Sequence, residues 1–149
     1  MSIELYDPFE IIDVAIGREE MSVRIYADAQ KIVKDAKSRQ VLSRMQNEEM
    51  RHKKLLVQVK SSKDFGKLGK PAVSGKLPKV NVAKEKTLRK DATIKDILLF
   101  AIGHEERAID YYSRYLDVFR GTSIGELFGR LKSEEEQHRE QLELMLSKL

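Results

Sequence analysis

The sequence predicts an all-α protein, an antiparallel four-helix bundle made of two helical hairpins joined by a long crossover. Three observations predict it. The 149 residues include only three prolines, no tryptophan and 35% charged side chains, a composition that suits helices better than a β fold. Four long stretches carry apolar residues at alternating steps of three and four, the buried stripe of packed helices. The two halves also repeat. AIGREEMSVRIY (15–26) aligns with AIGHEERAIDYY (101–112), and NEEMRHKKLL (47–56) with SEEEQHREQL (133–142), both at an offset of 86 residues.

Each helix has a signal for its start or its end. Asp7-Pro8 offers a cap followed by proline at the first helical position, and helical spacing then runs to about residue 34. KDAKSR (34–39) reads as a polar break before a second helix ending near Lys60. Thr93 can cap a third helix that Gly121 stops after Arg120. Ser123 can cap the fourth, although Gly125 and Gly129 weaken its first turns on propensity alone. The short turns make two antiparallel hairpins.

The whole chain, 1–149, is expected to form one domain with a basic linker at about 61–92 between the hairpins. A helix of about 26 residues is roughly 39 Å long, so this linker can return along the bundle and let helices 2 and 3 run parallel. Ten of the chain's lysines and arginines, against two acids, fall between Lys60 and Lys90, leaving 18 basic and 22 acidic residues elsewhere. The formal charge of +4 therefore describes the linker, not the bundle. A solvated loop packed on acidic helices or on a second subunit is the expected role of this segment; with few aromatics among the lysines, nucleic acid is not the expected partner. Cysteine is absent, which excludes disulfides, thiolate metal sites and a cysteine nucleophile. No stretch reaches the ~18 apolar residues of a membrane span, and the amino terminus has no signal-peptide pattern. The expectation is a cytoplasmic protein without membrane attachment.

The four stripes are Ile12, Ile16, Glu19, Val23, Tyr26, Gln30; Leu42, Met45, Glu49, His52, Leu56, Val59; Leu98, Ile102, Glu105, Ile109, Tyr112, Leu116; and Phe128, Leu131, Glu135, His138, Leu142, Met145. Each is apolar except near its middle. Packing them together gathers four carboxylates and two imidazoles into one buried layer. Burying a single uncompensated carboxylate costs several kcal/mol, a large share of a stability of ~5–15 kcal/mol. Two divalent cations would neutralise four carboxylates. Carboxylates with one imidazole per metal suit iron or manganese. The neighbouring Glu20, Glu48, Glu106, Glu134 and Glu136 sit one position off the stripes and read as solvated charges, with Glu48 and Glu134 as reserve ligands four residues before the histidines. His104 reads as facing outward or a subunit contact.

This pattern resembles the ferritin-like di-iron carboxylate proteins, particularly the small rubrerythrin-like members, whose signature is one Glu from each of two helices and Glu-x-x-His from the other two. The resemblance covers all four helices but not the linker. It implies Glu19, Glu49, His52, Glu105, Glu135 and His138 as ligands of two iron ions, with di-manganese or a mixed pair as alternatives. Glu49 and Glu135 would bridge, and Glu19 and Glu105 would be terminal. Tyr26 and Tyr112, two turns beyond the terminal glutamates, are expected either to donate to a ligating carboxylate on a neighbouring helix or to be core tyrosines bonded elsewhere.

Departures from that family are visible too. Rubrerythrins carry a further glutamate one turn along the third helix where this chain has Ala108, so the six-residue set is symmetrical, more like the bacterioferritin type. A fifth helix of cage-forming ferritins is not seen, so a storage shell is not expected. The function implied is a non-haem di-iron oxidoreductase that reduces hydrogen peroxide or dioxygen, of peroxidase or ferroxidase type, in oxidative-stress defence or iron handling. It would take electrons from a separate donor and assemble as a homodimer, the long linker allowing hairpin exchange. A di-iron hydroxylase of an organic substrate, and a non-catalytic helical module binding a partner or nucleic acid through the basic linker, are the alternatives.

Overall fold

Asp7 accepts a hydrogen bond from the Phe9 amide at 2.9 Å and Pro8 supplies the first helical residue, so α1 runs Pro8–Ile32 as predicted. This is a computed structural model, and it describes residues 7–62 and 90–149. The break before α2 (Ala36–Ser61) is shorter than expected: the Asp35 carboxylate accepts from the Ser38 amide (3.0 Å) and hydroxyl (2.7 Å), which draws 36–39 into the first turn. Thr93 and Asp96 form a reciprocal capping box that starts α3 (Ile94–Val118). Gly121, at φ +82°, lies in the turn after α3. The cap of α4 (Ser123–Ser147) is Thr122, one residue before the expected Ser123, with its hydroxyl accepting from the Gly125 amide at 3.2 Å. Gly125 is a packing requirement here, because a Cβ would stand 2.3 Å from the Phe119 carbonyl oxygen. Most of the expected linker, 63–89, lies outside the described residues.

Helix directions follow from the contacts. Tyr26 of α1 bonds Glu105 of α3 while Glu19 bonds Tyr112, so residue numbers fall on one helix as they rise on the other. Glu48 with His138, and His52 with Glu134, show the same for α2 and α4. Each hairpin is antiparallel within itself, hence α2 and α3 run parallel and diagonal to one another. The described residues contain four helices and no strand, an all-α four-helix bundle.

Two apolar clusters flank the middle of this bundle. One gathers Ile12, Leu56, Tyr111, Tyr112, Tyr115, Phe119, Phe128 and Leu131; the other gathers Ile25, Tyr26, Leu42, Met45, Leu98, Ala101 and Leu142. Burying such side chains contributes roughly 1.5–3 kcal/mol each. They hold the four stripes in register above and below one polar layer. α1 and α3 also meet along a second, small-residue edge, where Ala15, Ser22 and Ala29 face Ala101 and Ala108, all buried. None of the described helices is long and apolar enough to cross a membrane.

Candidate metal centre

All six stripe residues meet in that layer. Glu19, Glu49, His52, Glu105, Glu135 and His138 are each at most 2% exposed. They fall into two groups whose donor atoms lie within 4.8 Å of one another: Glu19, Glu49, His52 and Glu135, then Glu49, Glu105, Glu135 and His138. Glu49 and Glu135 belong to both groups. The spacing in sequence puts them there, since Glu at i and His at i+3 project from one helical face a turn apart.

The outer atoms of these side chains are bonded and the inner ones are not. Tyr26 donates to Glu105 Oε1 at 2.5 Å, and Tyr112 to Glu19 Oε1 at 2.6 Å, so both tyrosines take the first of the two arrangements expected of them. Burial and the adjacent carboxylates raise both phenols well above their ordinary value, which keeps them protonated donors. Left without any hydrogen-bond partner are Glu19 Oε2, Glu105 Oε2, both oxygens of Glu49 and of Glu135, and Nδ1 of both histidines. His52 Nδ1 is 2.9 Å from Glu135 and His138 Nδ1 is 2.8 Å from Glu49, close approaches that lack the angles of hydrogen bonds.

The histidine tautomers follow from their far sides. His52 Nε2 donates to Glu134 at 3.1 Å and His138 Nε2 to Glu48 at 2.5 Å. A carboxylate can only accept, so Nε2 carries the hydrogen and the neutral ring presents a lone pair at Nδ1. Lone pairs aimed among buried carboxylate oxygens repel unless a proton or a cation stands between them. Burial, then neighbouring carboxylates, push Glu49 and Glu135 well above the usual carboxylate value. For Glu19, burial pushes upward but contacts with His52, Glu49 and Tyr112 outweigh it, and the net direction is down. The donor set, oxygen and imidazole only, is one that iron or manganese could occupy.

Two readings of the neighbours change. Glu48 and Glu134, expected as solvated charges, instead hold the histidines from across the bundle, each from the opposite hairpin. Their place one residue off the stripe hid this, because only the approach of α2 to α4 turns that flank inward. His104, expected to face outward or a subunit contact, is buried between α1 and α3, its Nε2 2.8 Å from the Ser22 hydroxyl and 3.2 Å from the Arg18 carbonyl. Ala15, Ser22 and Ala29, seven apart, were the available signal for that second buried edge. Glu20 and Glu136 are surface charges as expected, ion-paired to Lys53 at 3.4 Å and Lys132 at 3.9 Å.

Comparisons with known proteins agree with this fold. The rubrerythrin family model matches residues 10–146. A crystal structure from Thermotoga maritima, titled as a candidate ferritin-like diiron-carboxylate protein, superposes with a TM-score of 0.76 over 98% of each chain at 18% identity. At that identity the likeness concerns the fold. No curated protein sequence matches the chain.

Proposed function

The chain belongs to the rubrerythrin family, and from that premise we propose that its central layer holds two iron ions and reduces hydrogen peroxide or dioxygen. One observation carries the reading: among the described residues, the buried carboxylate and imidazole atoms left without hydrogen-bond partners are those of the two overlapping groups that share Glu49 and Glu135. On this proposal Glu49 and Glu135, common to both groups, would serve both ions, Glu19 with His52 and Glu105 with His138 would each serve one, and two divalent charges would balance four carboxylates. A di-manganese or mixed pair would satisfy the same donors.

Two reduced iron ions would supply the two electrons that convert one peroxide, with two protons, into two waters. The chain's own part is placement and exclusion. Tyr26 and Tyr112 fix one oxygen of each terminal glutamate and leave the other for the ion. Glu48 and Glu134 orient the imidazoles, and with side chains 33% and 22% exposed they connect the layer to solvent protons. Apolar clusters on both sides keep bulk water out.

A small oxidant requires no groove that reaches the layer. A groove of about 540 Å³ is lined by Val23, Met50, Lys53 and Val57 among others, and one of about 240 Å³ by Val33, Leu98 and Met145 among others; neither is lined by any of the six. Since the sequence contains no cysteine for an iron–sulfur relay, re-reduction would draw on a separate electron carrier. Homodimer assembly and a cytoplasmic setting complete the proposal.

The test is anaerobic loading of metal-free protein with ferrous iron, then separate challenge with peroxide and with dioxygen. Oxidation of both irons per chain, with one peroxide consumed, is expected. Binding of iron that neither oxidant touches would reject the redox function while leaving the metal site.

A further inference from the structure

The two halves of the layer agree in their inner donors and part company one bond further out. His52 donates to Glu134 Oε2 at 3.1 Å, and the other oxygen of Glu134 is hydrogen-bonded by the Arg51 guanidinium. His138 donates to Glu48 Oε2 at 2.5 Å, and Arg44 stands 3.9 Å from the other oxygen, beyond hydrogen-bond reach. The residue that repeats Arg51 in the second half is Gln137, which carries no charge. Both carboxylates thus stand beside an arginine, but only the one that holds His52 is hydrogen-bonded by it.

We infer that Arg51 makes the two metal positions unequal, so that a divalent cation occupies the Glu105–His138 position before the Glu19–His52 position. This rests on the reading that the six residues hold cations. A carboxylate accepting an imidazole N–H strengthens the donor on the far side of the ring. Glu48 meets Arg44 only in a looser ion pair, and its bond to His138 is short. Glu134 divides its charge between His52 and a guanidinium, so it draws less on the His52 proton, and that bond is longer. The guanidinium charge also opposes a cation arriving at His52 more than one arriving at His138. Both effects act in the same direction. Arg51 touches none of the six, and with 44% of its side chain exposed its replacement leaves the core packing alone. It is a positioning residue, acting through Glu134.

Zinc titration of the metal-free full chain tests the order, followed by calorimetry and by imidazole NMR, which reads each histidine separately. The expected record is two steps separated by about tenfold in affinity, His138 responding in the first and His52 in the second. Arg51→Gln should tighten the second step and draw the two together. Glu48→Gln should weaken the first step by about 10–100-fold. Both histidines responding together, His52 responding first, or an unchanged spacing in Arg51→Gln would overturn the inference while leaving the metal site standing. No response from either histidine would remove both.

Discussion

The hairpin α1–α2 and the hairpin α3–α4 are alike along their central stripes and unlike along the flanks of those stripes. Inside, the bonds are reciprocal: Tyr26 to Glu105 and Tyr112 to Glu19, His52 to Glu134 and His138 to Glu48. On the flanks, Arg18 stands where His104 repeats it, Ser22 where Ala108 does, and Arg51 where Gln137 does. Arg18 lays its guanidinium 5.1 Å over the Tyr111 ring, whereas His104 is within hydrogen-bond distance of the Ser22 hydroxyl and the Arg18 carbonyl. The difference teaches where the constraint lies. Donors that share a common pair of charges must match across the axis. Side chains that only fill the gap between α1 and α3 are free to solve it once, with unlike residues.

Breaking the shared part should have the largest effect. Glu49 and Glu135 are in both groups, so Glu49→Ala with Glu135→Ala should abolish loading of both ions, whereas Glu19→Ala or Glu105→Ala should remove only one. Metal content after anaerobic iron loading measures this. Two irons per chain retained in the double variant would refute the assignment of the bridging residues.

Next in size is the competition between protons and cations for the same atoms. Glu49 and Glu135 have folded values raised above 4.5, so their contribution to metal-free stability is complete below that pH and is lost as pH rises. For His52, burial pushes downward but Glu19 and the other carboxylates outweigh it, so its contribution is complete below 6.5 and is likewise lost as pH rises. Glu19, displaced downward, loses its contribution only as pH falls below 4.5. Metal-free protein should therefore lose stability as pH rises above 4.5, and further as it rises above 6.5. Metal binding strengthens over the same range as protons leave, and at a thousandfold excess over Kd it stabilises by about 4 kcal/mol. Thermal melts of both forms should show a gap in Tm that widens with pH; a gap that narrows would mean the cations do not sit on these groups.

The central stripes of the molecule are largely legible from the sequence, and their flanks are not. Helical periodicity locates Glu19, Glu49, Glu105 and Glu135 on the stripes because a helix fixes which residues share a face. It says little of the flanks. Glu48 and Glu134 look like surface charges until the crossing of α2 and α4 brings each to the other's histidine. His104 looked exposed because one stripe per helix was read, whereas α1 and α3 bury a second edge. Gly125 looked like a weak helix former, and only the backbone of the preceding turn shows why a side chain cannot stand there. Local rules name faces; neighbours decide what the flanks do.

The tyrosines sharpen the comparison at a smaller scale. Tyr26→Phe and Tyr112→Phe each delete one hydroxyl from a matched bond and keep the ring, so each should weaken metal binding about tenfold, and by equal amounts. Calorimetric titration of the two variants checks both statements. Losses that differed widely would show that the inner symmetry is one of geometry and not of energy.

The smallest effect belongs to a pair of glycines that also repeat across the halves. A Cβ at Gly17 would meet nothing within 4 Å, whereas one at Gly103 would meet the Arg107 guanidinium at 3.4 Å, the movable end of a long side chain. In helix interiors alanine is favoured over glycine by about 0.8–1 kcal/mol. Gly17→Ala should therefore raise the thermal midpoint by a few degrees, roughly 2–8 °C per kcal/mol, and Gly103→Ala by somewhat less. The chain alone offers no reason for a glycine at the exposed position 17. If Gly17→Ala lowers stability instead, and does so more at higher protein concentration, that face of α1 packs against a second copy, and the backbone approach there is what the glycine permits.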